Sequence, residues 1–402
     1  MLDRRGLLAG AGAGMLGLMG GGRTLAALAG SVTLPFANGE RPLVTYPGKR
    51  AMIGLTSRPP QLETPFRVFD EGVLTPNDAF FVRYHLAGIP ESIDTDAYRI
   101  TVAGKVATPL SLSLKDLREG FTPVEIVAAH QCSGNSRGFV EPRVAGGQLA
   151  NGAMGNARWT GVPLRAVLER AGIDPSAVEV AFGGLDGPVL EGTPDFEKSL
   201  KLDHALDGEV MLAWAMNGQD LPWLNGYPVR LVVPGYFGTY WIKHLDTITV
   251  LDKPFEGYWM TKAYRIPDND TASVPPGTKP DKTRPIGRFV IRSFITSVVD
   301  GDQVSAGAET MLRGIAFDGG SGIARVEVSI DDGATWAEAK LGEDLGRYSF
   351  RQWTLPVTLK AGNHSLKVRA TSTAGETQPT ELRWNPAGYM RNVVETTRIT
   401  AA

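Results

Sequence analysis

The chain has 402 residues, 43% of them apolar, a formal net charge of -2 and one cysteine. That length gives a globular protein of roughly two or three domains that buries its core without covalent staples. The charge balance leaves no polybasic patch for nucleic acid or a membrane surface, and a single cysteine excludes an intramolecular disulfide framework.

Residues 1–29 differ from the rest. Asp3-Arg4-Arg5-Gly6-Leu7-Leu8 sets two arginines ahead of a Gly- and Ala-rich apolar run that reaches Leu28, and Ala27-Leu28-Ala29 offers small residues for cleavage. This reads as a twin-arginine export signal; the alternative, a permanent N-terminal anchor, is disfavoured by its many glycines. The expectation is a periplasmic protein, folded around a cofactor before export and with no stable membrane anchor after cleavage.

Residues 30–78 are rich in Pro, Thr and isolated apolar residues, which suggests an extended wrapping segment without chemistry of its own. Phe80 to Leu86 is β-like, and in a strand Arg83 and His85 share one face. Such a face is either a solvated edge or an anion contact. Tyr98–Val102 reads as a strand ended by Gly104, Leu112–Glu119 as a short helix, and Val124–Ala129 as a buried strand. Cys132 stands where that run gives way to polar, Gly-punctuated sequence. A lone cysteine is either a small buried hydrophobe or a thiolate kept for chemistry or a metal; strand-to-loop ends, where catalytic groups are usually mounted, favour the second.

Beyond it, Gly146-Gly147-Gln148 and Asn151–Gly161 form a Gly/Asn-dense loop able to bring backbone N–H groups to a polar ligand, although no Gly-Lys-Ser/Thr closes it as a P-loop. Pro163 opens a helix with Leu164, Val167, Leu168 and Ala171 on one face, and Gly172 ends it. Pro228–Gly235 is nearly all apolar around Arg230, so a buried strand carries one charge toward something specific. Lys243 and His244 follow, and Tyr258–Arg265 mixes aromatics with cations, a pattern that packing or cation–π contact also produces. Residues 266–287 read as a linker or covering loop. The remainder alternates strictly, as in Arg325–Ile330 before an Asp331-Asp332-Gly333 turn, which suggests an immunoglobulin-like sandwich.

Together the Cys132 loop, Arg83-Tyr84-His85, Gly152–Gly161, Gly226–Gly235 and the terminal Trp384-Asn385-Pro386-Ala387-Gly388 resemble the sulfite oxidase family of molybdenum enzymes, from about Thr75 to Asn392. The resemblance implies an α+β fold: a mixed α/β molybdopterin-binding domain over residues 30–284, then an all-β immunoglobulin-like dimerisation domain over 285–402. It makes Cys132 the thiolate ligand of molybdenum, a soft donor for that metal. Arg83, His85, Arg230 and Lys243 match positions that hold molybdopterin and its phosphate. Arg137 and Trp159 would line the substrate-anion pocket with Arg83, and Tyr264 would stand beside the reacting oxygen.

The implied activity is oxidation of sulfite to sulfate by a haem-free periplasmic sulfite dehydrogenase. No Cys-x-x-Cys-His occurs and no b-type haem domain fits before Thr75, so the electrons are expected to pass to a separate c-type cytochrome. Where animal members of the family have a pocket arginine, this chain has Ala387, and Arg391 is a candidate replacement. Three readings compete: a sulfane dehydrogenase acting on carrier-bound sulfur, a molybdopterin-dependent methionine sulfoxide reductase, which typically lacks the C-terminal sandwich, and a non-enzymatic oxyanion-binding module.

Overall fold

The structure, a computed structural model, describes residues 30–402. The export-signal expectation falls on residues 1–29 and lies outside the described residues. Most of the described chain is β, with a few short helices. Leu114–Gly120 begins at a reciprocal cap, the Ser113 hydroxyl accepting from the Asp116 N–H while the Asp116 carboxylate accepts from the Ser113 N–H, which satisfies donors that the first turn leaves free. Leu164–Ala171 buries Leu164, Val167, Leu168 and Ala171 and stops at Gly172, whose φ of 71° suits a residue without Cβ.

Three sheets build the larger body. An antiparallel sheet runs in chain order through Ser31–Thr33, Glu40–Val44, Met52–Ser57, Pro60–Glu63 and Val82–Arg83. A second places Lys198–Lys201, Glu179–Gly184, Leu245–Leu251, Ile100–Gly104 and Leu110–Leu112 side by side, with Leu245–Leu251 and Ile100–Gly104 parallel. The third orders Gln219–Asp220, Met211–Met216, Met154–Pro163 and Val124–Gln131, and Arg230–Val232 pairs with Met211–Met216. The second and third sheets share an apolar interior, including Phe80, Trp159, Leu212 and Trp241, that extends into Phe294, Phe317 and Phe350 of the C-terminal part, while Met52, Leu62, Val82 and Tyr84 form a smaller core at the first sheet.

That C-terminal part is a sandwich. One sheet orders Arg292–Ile295, Glu309–Phe317, Arg351–Thr358 and Lys340–Leu341; the other orders Gln303–Val304, Glu395–Ala401, Gly362–Ser372, Ile323–Ser329 and Ala337–Glu338. Leu312, Val326, Val328, Trp353, Leu366 and Val368 fill the space between them, as period-2 strands facing one core require. The segment 266–287 covers the larger body and is pinned by buried Ile266 and Ile286, and its ends pair as Arg265–Pro267 with Thr283–Pro285.

The sandwich is tied to the Cys132 loop by a buried cation. Arg292, fully buried, donates from Nη1 to Ser136 Oγ (2.8 Å) and from Nη2 to Glu395 Oε1 (2.7 Å), and Arg391 also pairs with Glu395. Removing one partner of a buried pair costs about 3–5 kcal/mol; because Arg391 still neutralises Glu395, Arg292→Ala is expected near 3 kcal/mol. A denaturant midpoint within error of the wild type would show that Arg292 does not carry this junction.

Candidate active site

The strand Val124–Gln131 descends from an exposed end into the core and pairs with Met154–Pro163 in a register that sets Gln131 opposite Met154. Cys132 is the next residue. Its N–H donates to Ala153 O (2.9 Å) and its carbonyl accepts from Asn135 N–H (3.0 Å). Ser136, at a left-handed φ of 68°, turns the chain back, and its N–H donates to Ala150 O (2.7 Å). The thiol thus sits on a rigid strand end, 8% exposed, where two cavities meet.

The inner cavity is a narrow cleft. Its volume is only about 30 Å³. Arg83, His85, Arg230 and Lys243 all line it. Arg83 and His85 do face the same way, between buried Val82, Tyr84 and Leu86, although the regular strand covers only Val82–Arg83. Arg230 donates from Nη1 to Asn225 O (2.9 Å) and from Nη2 to Trp241 O (3.2 Å). Lys243 Nζ donates to Arg83 O and lies 3.8 Å from the Tyr84 ring centroid.

Burial and mutual repulsion strain this set. Burial pushes Arg230 down to about 9. Lys243 falls to about 7, through burial first and then the charges of Arg230 and Arg83, against the opposing pull of Asp186. Burial, helped by Arg83, Lys243 and Lys198, keeps His85 well below its usual range and therefore neutral.

Four buried polar atoms on the cleft wall, His130 Nδ1, Ser133 Oγ, Arg230 Nε and Thr239 Oγ1, have no hydrogen-bond partner. Buried polar groups in proteins are normally paired, so they call for a polar group in the cleft. At Gly238 any side chain would run into His130 Nε2, which leaves the wall open for close approach. Excess positive charge, unpaired donors and a soft sulfur donor fit a dithiolene pterin with its phosphate. Among the described residues no cluster of three or more His, Cys, Asp or Glu could hold a metal, so Cys132 would be a single protein ligand beside those of the cofactor.

The outer cavity is wide, about 660 Å³, and is lined by Arg41, Arg83, Arg137, Tyr264, Ala387 and Tyr389 around Cys132. Arg137 donates from Nε to Ala387 O (2.9 Å) and from Nη1 to Gly147 O (3.1 Å), and its guanidinium lies 5.0 Å from the Tyr389 ring centroid. Tyr264, at a left-handed φ of 54°, stacks parallel to Tyr389 (5.7 Å) and hydrogen-bonds His85 Nε2 through its hydroxyl. Burial raises its phenol further above neutrality.

Two expectations are corrected. Trp159 lines neither cavity: it is fully buried, its indole N–H donates to Ala128 O (3.0 Å), and its ring lies 5.1 Å from the Arg230 guanidinium. Arg391 does not replace the cation missing at Ala387; it pairs with Glu395 and packs over Phe139 (5.2 Å). Sequence reasoning also missed His130, Ser133, Thr239 and Tyr389. His130 and Ser133 flank the cysteine and Tyr389 follows the terminal Trp-Asn motif, so nearness to those landmarks was the available signal.

Fold and site together define a molybdopterin-binding oxidoreductase. Residues 85–259 match the family model described as oxidoreductase molybdopterin binding domain, and residues 283–401 match that of the Mo-co oxidoreductase dimerisation domain. The chain belongs to the sulfite oxidase family. It is 35% identical to mitochondrial sulfite oxidase of Homo sapiens over 84% of this chain and 63% of that protein. It is 34% identical to sulfite oxidase of Gallus gallus (89% and 78%) and 29% identical to that of Arabidopsis thaliana (89% and 96%). The chain therefore spans less than two thirds of the human relative's length. Among solved structures it resembles the sulfane dehydrogenase SoxCD from Paracoccus pantotrophus, with a TM-score of 0.73 and 26% identity over 85% of this chain and 84% of the other.

The loop that closes the site over Cys132 is clamped by one carboxylate. Glu63 is buried, accepts from Ala150 N–H (3.0 Å) and Gly152 N–H (2.7 Å), and is pushed up to about 7 by burial against the lowering pull of those two bonds and of Arg41. An acid that holds its proton more tightly folded than unfolded takes one up on folding, so its contribution falls as pH rises, here from about pH 4.5 through 7. At 1.36 kcal/mol per unit, wild-type stability is expected to drop relative to Glu63→Gln by up to about 3 kcal/mol across that window. Parallel stability–pH curves for the two proteins would refute it.

Proposed function

We propose that the chain is a periplasmic, haem-free sulfite dehydrogenase that oxidises sulfite to sulfate and passes the electrons to a separate c-type cytochrome. The observation that carries this reading is the position of Cys132, between a narrow cleft crowded with cations and a wide cavity bearing Arg83 and Arg137. The balance is sulfite plus water giving sulfate, two protons and two electrons. Bound molybdenum–molybdopterin supplies the two-electron redox change and the oxygen chemistry.

The residues supply the rest. Cys132 ligates as a thiolate, which metal binding requires. Arg230 and Lys243 offset the phosphate charge, Arg230 as a planar donor and Lys243 as a point charge, while neutral His85 holds the Tyr264 hydroxyl. Arg83 and Arg137 orient the substrate anion by charge-assisted hydrogen bonds. Tyr264, kept as a neutral phenol, can donate at the cavity floor when neutral His85 carries its proton on Nε2 and donates it to the phenol oxygen. Two copies would pair through residues 285–402, which the match to a dimerisation domain supports.

A second reading, oxidation of carrier-bound sulfur, draws on the structural likeness to a sulfane dehydrogenase and on the width of the outer cavity. Turnover of free sulfite without a carrier protein separates the two.

The deciding experiment measures molybdenum content together with sulfite-dependent reduction of cytochrome c or ferricyanide. The expected result is about one molybdenum per chain, no Soret band, and turnover abolished in Cys132→Ser because an alkoxide matches the metal poorly. Near-normal activity of that variant would remove the metal-ligand assignment. A hydrogen bond to a charged group is worth about 1.5–3 kcal/mol. Arg137→Gln should therefore lower kcat/KM for sulfite roughly 10- to 150-fold, mostly through KM, and also lower stability, because Ala387 O and Gly147 O lose their donor. An unchanged KM with metal still bound would exclude Arg137 as a substrate contact.

A further inference from the structure

The segment expected to carry no chemistry brings a third arginine to the substrate cavity. Arg41 lies in the strand Glu40–Val44, two residues before Leu43, which pairs with Ile53. Farther across the same sheet Thr56 pairs with Gln61 and Gln61 with Arg83. Arg41, Thr56, Gln61 and Arg83 all line the outer cavity, so one end of this sheet forms the cavity wall and carries a cation on each flank.

The three arginines are not equivalent. Arg137 is held at two points, by Ala387 O and Gly147 O, and Arg83, which also lines the inner cleft, is held through Nη1 by Tyr84 O of the next residue. Arg41 is half-buried and anchored through Nη1 alone, to the carbonyls of Asn38 and Glu40. Among the described residues its Nε and Nη2 make no hydrogen bond, and although its charge reaches the buried Glu63 carboxylate, no carboxylate lies within ion-pair distance of it. Its neighbour Glu40, also on the rim, accepts from Ser31 Oγ (2.9 Å). A guanidinium with a free donor edge, directed to a cavity already bearing two cations, gains most from a small polyanion.

We propose that Arg41 is a specificity-determining residue of the substrate cavity, which collects a divalent tetrahedral or pyramidal oxyanion at the mouth and delivers it toward Arg83 and Arg137. This rests on the sulfite reading for the identity of the substrate. A rim charge acts on association and on salt dependence, and the potential it adds is screened within a Debye length of about 10 Å at 0.1 M salt.

The test compares holoenzyme carrying wild-type sequence, Arg41→Ala or Arg41→Lys, with sulfite as substrate and sulfate as a calorimetric probe of anion binding. At low ionic strength Arg41→Ala is expected to raise KM for sulfite and Kd for sulfate about 3- to 10-fold, with kcat within twofold and an unchanged melting temperature. The difference should fade toward none in about 0.5 M salt, and Arg41→Lys should recover most of it. Unchanged KM and sulfate Kd in Arg41→Ala at low salt would overturn the proposal, as would a loss that salt does not diminish and lysine does not repair. Absence of sulfite turnover in the wild type defeats the sulfite reading instead; sulfate binding weakened in Arg41→Ala would still support Arg41 as an anion contact.

Discussion

Positive charge removed from water is the constraint on which this molecule turns. Arg230 and Lys198 are almost fully buried, Lys243 and Arg83 line the cleft with Arg230, and the carboxylate on the cleft wall is Asp186. Desolvating a cation costs several kcal/mol unless an anion or hydrogen-bond acceptors compensate it. Carbonyls supply part of that compensation: Asn225 O and Trp241 O for Arg230, Trp259 O for Lys198, Arg83 O for Lys243. Aromatic faces supply more, with Trp159 and Trp241 beside Arg230 and Tyr84 beside Lys243. The remaining demand is for an anion, and an anionic pterin cofactor is of the right kind to meet it.

The scaffold around these cations is polar and continuous. Lys49 donates to Asn77 O (2.7 Å), Phe80 O (2.8 Å) and Asn225 Oδ1 (2.6 Å). Asn225 in turn donates to Phe81 O (3.0 Å) and offers its carbonyl to Arg230. Burial pushes Lys49 down to about 7, while three oxygen acceptors use all three ammonium protons and favour the charged form. The N-terminal segment thereby fixes the Phe80–Arg83 run and the Arg230 head group from one point.

Much of this was legible in the sequence, and the losses have physical causes. A short apolar run giving way to polar sequence at a lone cysteine located the strand and its thiol, and one arginine inside Pro228–Gly235 announced a buried charge. Trp159 was misplaced because the local pattern does not say which way an indole turns; its hydrogen bond to Ala128 O across the strand pair aims it into the core, where it supports Arg230 and not the substrate. Arg41 was invisible because its role depends on sheet order. Only the pairing of four successive strands carries it to the same wall as Arg83. Arg391 failed as a substitute because Glu395, one helical-turn spacing away in sequence but in an extended segment, holds it in an ion pair.

The sandwich is more than a surface for association. Its Arg292 holds Ser136 in the Cys132 loop, its Tyr348 carbonyl accepts from Ala129 N–H (2.8 Å) three residues before the thiol, and Ala387 and Tyr389 form part of the outer cavity. Each cavity therefore has a different composition: the narrow cleft is built wholly by the larger body, whereas the wide one is assembled from the N-terminal sheet, the Cys132 loop and the C-terminal segment. Charge retained for a tightly held cofactor is placed in the narrow cleft, which leaves little room for water. Charge used for a substrate that must enter and leave is placed where separate parts of the chain meet, so its strength can change by single substitutions at position 41 or 387 without disturbing the cleft.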